Sequence, residues 1–250
     1  MLASLAIPLL AAAALSLDRR AFMQTMLGRP LVTGAAVGIL LDAPAAGISL
    51  GLWTELLWLW KLTSGGYYTP NTPLALSAVL IALFGAGAPG PADWQARAVL
   101  GFALVPCLAC ALIRADVLLR RVAGDRSRRL RLLFRDIEAG EGGREAAGAA
   151  APRAFRNAAL AGIAESFLAS VVALAVMIPL VRLAATVLAA GTPDSFWGPV
   201  AAFAPYAPAA GLLGIASSLS RPYLAPYLLG ALAAALGLAL YRALAGGALL

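Results

Sequence analysis

Long apolar runs separated by short polar interruptions make up most of this chain. Candidate spans lie near 2–17, 31–62, 74–92, 98–113, 158–190 and 199–241. Ala and Leu dominate them, Gly is frequent, and apolar and polar positions do not alternate with a period of two. That pattern predicts helices and argues against a β-barrel. A helix needs about 20 apolar residues to cross a bilayer, so the runs together predict about six to eight membrane segments. The fold expected is all-α and polytopic, with some spans broken or re-entrant.

Breaks within the runs are as informative as the runs themselves. In 31–62, Asp42-Ala43-Pro44 is the natural interruption. Proline removes an intrahelical donor, and the residue before it resists helical angles. The stretch then enters and returns on one side as a hairpin, with a single long tilted helix as the alternative. Residues 63–73, TSGGYYTPNTP, hold two Gly and two Pro and predict a loop. Such a loop either lines a wet, protein-buried cavity or lies at the membrane surface, with its two Tyr in the aromatic belt. Near the C-terminus, Arg221-Pro222 divides 199–241, and Gly211 and Gly214 suit close helix packing.

Between Arg114 and Arg156 the pattern changes. This is the one long polar segment, holding eleven Arg and six acids. Leu130, Leu133, Phe134 and Ile137 recur at helical spacing among Arg126, Arg128, Arg129, Arg131 and Arg135. An amphipathic helix over 126–137 follows. It either lies on anionic headgroups or docks a soluble partner. Residues 138–151, EAGEGGREAAGAAA, read as a flexible linker. Three regions result: a membrane region over 1–113, a basic loop over 114–156 and a second membrane region over 157–250.

Composition explains why lipid must be the solvent. The chain is 62% hydrophobic and 12% charged, with a mean hydropathy of +0.86. Soluble domains carry about 25% charged residues. Positive-inside logic puts the basic loop, and the turn bearing Arg19, Arg20 and Arg29, in the cytoplasm. A basic cytoplasmic loop already accounts for the net charge of +7, so no nucleic-acid partner is expected. The first apolar run precedes its charges, the reverse of a signal peptide, and reads as a retained helix. Histidine is absent, which excludes His-based acid–base chemistry and His metal ligands on this chain. Cys107 and Cys110 sit inside an apolar run and read as small packing residues on one helix face, not as a redox or zinc pair.

One carboxylate changes the picture. Glu55 lies in the middle of GISLGLWTELLWLW. A charged side chain at membrane depth costs at least about 2.5 to 3.5 kcal/mol, so Glu55 is a functional-site candidate by default. Asp42 fits a break near the surface, and Glu165 an interfacial or subunit-paired role. Trp53, Trp58 and Trp60 face lipid or the interface, or touch a ligand.

Four blocks in order carry a family resemblance: GRPLVTGAAVGILL (28–41), GISLGLWTELLWLW (47–60), TPNTPLALSAVLIALFGAG (69–87) and SRPYLAPYLLG (220–230). They resemble the membrane IIC subunit of the mannose/fructose/sorbose class of the sugar phosphotransferase system. The resemblance implies a permease subunit of the inner membrane that binds a hexose-type sugar. It implies a partner membrane subunit, IID, in an oligomeric complex. It also implies soluble IIA and IIB domains that hold and transfer the phosphoryl group, so that this chain is not itself an enzyme, has no catalytic residue and needs no cofactor or metal. Glu55 is carried over as the sugar-binding carboxylate, with Thr54 and Asn71 as further contacts. Asn71 stands where the family often has an acid, which leaves open a divergent IIC in a regulatory assembly without transport. A membrane scaffold without substrate is the alternative from another class.

Overall fold

The computed structural model describes residues 2–18, 26–58, 70–86, 93–139 and 143–209. Helices α1 (Leu2–Leu17), α2 (Pro30–Leu40), α3 (Pro44–Trp58), α4 (Thr72–Phe84), α5 (Trp94–Ala139), α6 (Gly143–Gly191) and α7 (Asp194–Ala201) follow in order, with a 3₁₀ turn at Ala204–Tyr206. No strand occurs among the described residues, so the fold is all-α.

Proline sets several helix starts. Pro30 and Pro44 open α2 and α3, and Pro73 stands in the first turn of α4. A missing N–H costs nothing there, because the first helical N–H groups have no intrahelical acceptor. The break foreseen at Asp42–Pro44 falls where expected. Asp42 adopts φ +56, the left-handed region that a short polar side chain tolerates better than most. Its N–H donates to Ile39 O at 3.2 Å, and Ala43 N–H donates to Gly38 O at 2.9 Å. These two bonds close the last carbonyls of α2. The chain then reverses into α3, making a helical hairpin.

The hairpin is held by backbone-to-backbone approach. Gly34 and Gly38 on α2 face Gly47 and Gly51 on α3. A β-carbon on Gly34 would lie 2.5 Å from Gly47 O and 2.8 Å from Gly51 Cα, and one on Gly38 would lie 2.8 Å from Gly47 Cα. Only glycine permits helices this close, the packing mode of small-xxx-small motifs in membranes.

α4 lies at the centre. Every residue from Thr72 to Leu83 is buried, as expected of a helix that is apolar all round. One hydrophobic cluster joins Val79, Ile81 and Leu83 of α4 to Ala12 of α1, Leu50 and Trp53 of α3, Val105 of α5 and Leu174 of α6. Trp53 packs edge-on against Phe102, with centroids 5.8 Å apart. Carbonyls in the last turn of α4 and just beyond it are met by arginines: Arg97 donates to Leu83 O at 3.1 Å, and Arg182 donates to Ala86 O at 3.3 Å. Cations at a helix C-terminus complement its partial negative charge.

Among the described residues, two helical stretches, Trp94–Leu118 and Arg156–Gly191, are long and apolar enough to cross a membrane. Leu5–Leu17, Pro30–Leu40 and Thr72–Phe84 are apolar but shorter. At about 1.5 Å per residue, α2 and α4 reach about 17 to 20 Å, against a hydrocarbon core of about 30 Å. The outward face of α6 is apolar: Leu168, Val172, Val176, Leu180, Leu183 and Val187 are all more than half exposed. An exposed stripe of this kind is unusual on a water-soluble monomer.

The linker and the packed cysteines are corrected, and the helix over 126–137 is found as part of a longer one. Residues 143–151, read as linker, are the opening turns of α6, and the 126–137 helix is not separate but continues α5 without a break. Ala, Glu and Arg are strong helix formers, and their preference exceeds the cost of the intervening glycines. Cys107 and Cys110 are free and exposed on α5, not packed inside. The side chains of 130–137, Arg19, Arg20, Trp60, most of the 63–73 loop, and Gly211, Gly214 and Arg221 with the 220–230 block lie outside the described residues.

Candidate functional site

The hairpin decides where Glu55 goes. Arg29 and Glu55 each lie 13 positions from Asp42 (42 − 29 and 55 − 42), so an antiparallel pair turning there sets the end of α3 beside the start of α2. Glu55 Oε1 accepts from Arg29 Nη1 at 3.3 Å, and Oε2 accepts from the Leu31 N–H at 3.2 Å. The carboxylate therefore occupies the N-terminus of α2, where the helix dipole favours negative charge. Its side chain is 17% exposed and that of Arg29 is 51% exposed. The pair is accessible from one side, and such a pair contributes only about 0 to 1 kcal/mol to stability.

The turn leading into α2 is pinned from the other side as well. The buried Asp18, just after α1, accepts from Gly28 N–H at 3.1 Å. Arg29 N–H donates to Met26 O at 3.1 Å, and Met26 has φ 66. The buried Thr33 hydroxyl reaches Leu27 O at 3.4 Å. Two acids, Asp18 just after α1 and Glu55 on α3, thus hold the Gly28 and Leu31 N–H groups on either side of Arg29, fixing the backbone that carries it.

Thr54 and Asn71 are placed differently. Thr54 is fully buried, and its Oγ1 has no hydrogen-bond partner among the described residues. A buried hydroxyl left unmet costs about 1 to 3 kcal/mol. Asn71 is 1% exposed, and its Oδ1 accepts from Leu74 N–H at 3.3 Å as the N-cap of α4. Among the described hydrogen bonds, none joins Asn71 to Glu55 or Thr54. Of the tryptophans, Trp53 faces the core and Trp58 is half-buried. Among the described residues, no three of His, Cys, Asp and Glu come together as metal ligands.

Sequence reasoning took Arg29 as a marker of orientation and of the R-P pair, and missed its contact with Glu55. It also passed over the paired glycines Gly34/Gly38 and Gly47/Gly51. The signal for both was present: small residues four apart on each side of a break, and a cation and an acid equidistant from it.

Comparison with known proteins bears on the fold alone. No protein-family model matches the chain, and no curated relative matches it. A solved structure described as that of a membrane protein shares the architecture, with a TM-score of 0.52 at 15% identity over 92% of this chain and 84% of that one. At that identity the likeness defines a shared all-α fold.

Proposed function

We propose that this chain is the IIC permease subunit of a mannose-class sugar phosphotransferase system, a multi-pass protein of the inner membrane. It binds a hexose-type sugar and delivers it to separate cytoplasmic IIA and IIB domains, where phosphoryl transfer takes place. A IID membrane subunit completes the complex. The apolar outer face of α6, the two span-length helices and the likeness to a membrane protein's fold support the membrane setting. The short α2, α3 and α4 do not span by themselves, α4 being wholly buried, and the segments that bring the total to six to eight include these half-spans. The long α5–α6 pair carries the basic 114–156 segment into the cytoplasm between membrane regions 1–113 and 157–250.

One observation carries the sugar reading. In a chain 62% hydrophobic, the Glu55 carboxylate is held in a defined orientation yet left partly open. A carboxylate has about four acceptor sites. Two are used here, so the remainder can accept from sugar hydroxyls through charge-assisted bonds. A second reading, a IIC-like protein without transport, is favoured by Asn71, whose amide oxygen is spent on capping α4 in a buried position.

The test is uptake of radiolabelled mannose, fructose and glucose by cells carrying this chain with its neighbouring membrane subunit. Glu55→Gln is expected to abolish uptake while leaving the amount of membrane-inserted protein unchanged. Uptake by the variant at the unaltered rate would refute the assignment. Absence of uptake by the unaltered complex would favour the non-transporting reading.

A further inference from the structure

We infer that Arg29 is a second substrate-contacting residue, and that Arg29 and Glu55 act together as a donor–acceptor pair for two adjacent hydroxyls of one sugar ring. The inference rests on the sugar reading of Glu55 and adds to it a residue and a rule of recognition.

The geometry is that of an oriented pair. Leu31 N–H holds one carboxylate oxygen and Arg29 Nη1 holds the other, so the carboxylate cannot turn freely. Arg29 has five N–H donors in a planar fork, and the bond to Glu55 uses one. Its side chain is 51% exposed against 17% for Glu55, so it keeps spare donors within reach of a ligand that also meets the acid. The backbone under it is fixed by the Gly28–Asp18 and Arg29–Met26 hydrogen bonds.

A hydroxyl both donates and accepts. When two hydroxyls sit on neighbouring ring carbons, one donates to Glu55 while the next accepts from Arg29. A carboxylate alone selects for donors only and would take any alcohol or amine. A fixed donor beside a fixed acceptor selects vicinal diols. The ammonium of lysine keeps the charge but loses the fork, so it cannot serve Glu55 and a ring oxygen in the same plane.

The experiment measures binding of mannose, fructose and glucose, and of their singly deoxygenated analogues, to the purified full-length protein with its membrane partner, by calorimetry. Thermal unfolding is recorded in parallel. Arg29→Lys is expected to weaken binding of the preferred sugar at least tenfold with unfolding unchanged. It is also expected to lose discrimination against one of the two deoxy analogues that the unaltered protein rejects, because the hydroxyl that met Arg29 no longer matters. Arg29→Gln, which keeps a planar donor, is expected to fall between the two. If Glu55→Gln abolishes binding while Arg29→Lys and Arg29→Gln bind every sugar as before, Arg29 is not a contact and the inference fails, with the sugar reading intact. If variants at both positions only lower the unfolding temperature and leave sugar affinity unchanged, the pair is a helix clamp and both readings fall.

Discussion

Adding one methyl group to the α2–α3 crossing should destabilise the protein, although the same change elsewhere stabilises it. In Gly34→Ala, the new β-carbon meets Gly47 O at 2.5 Å and Gly51 Cα at 2.8 Å. Both are backbone atoms, so no rotamer change relieves the contact. Ordinary carbon contacts are about 3.5 to 4.0 Å, and the helices must separate by about 1 Å. Overpacking of this kind costs about 1 to 3 kcal/mol. Opposing it is the intrinsic helix preference of Ala over Gly, about 0.8 to 1.0 kcal/mol. The clash is expected to win, with a net loss of up to about 2 kcal/mol. In a chain of this size that lowers the unfolding midpoint by up to about 8 °C. Gly162 on α6 is the control, since a β-carbon there has nothing within 4 Å. Gly162→Ala should therefore raise stability by up to about 1 kcal/mol. Thermal unfolding in mild detergent, followed by tryptophan fluorescence, compares the two. If Gly34→Ala is as stable as Gly162→Ala, the helices do not meet at this distance and the glycine crossing is wrong.

Two further outcomes are expected. Asn71→Ala removes the N-cap of α4 and should cost about 1 kcal/mol, whereas Asn71→Asp keeps the acceptor and should hold stability near the starting value; equal unfolding midpoints for both variants would show that the cap contributes nothing. Ser127→Cys, in a protein with Cys107 and Cys110 replaced by Ala, should react with a membrane-impermeant maleimide in inside-out vesicles and not in intact cells; labelling of intact cells would reverse the orientation proposed for the basic segment.

The sequence by itself determined the helical class and much of the segmentation, because both depend on local properties. Apolar runs without period-two alternation can satisfy their backbone only as helices, and Pro30, Pro44 and Pro73 mark helix starts through their missing N–H. The reversal at Asp42–Pro44 was legible for the same reason. Glu55 stood out because a carboxylate in an apolar run is costly wherever the run folds. What surrounds that carboxylate was decided only by tertiary structure. Its bonds to Arg29 and Leu31 span more than twenty residues and exist because four glycines let α2 and α3 close to backbone contact. Burial of Asn71 likewise depends on five helices closing round α4, which no property of Pro70-Asn71-Thr72 foretells. Local chemistry is written along the chain residue by residue, but the partner of a charged group is set by which distant backbone can come near it, and here that was a matter of where side chains are missing.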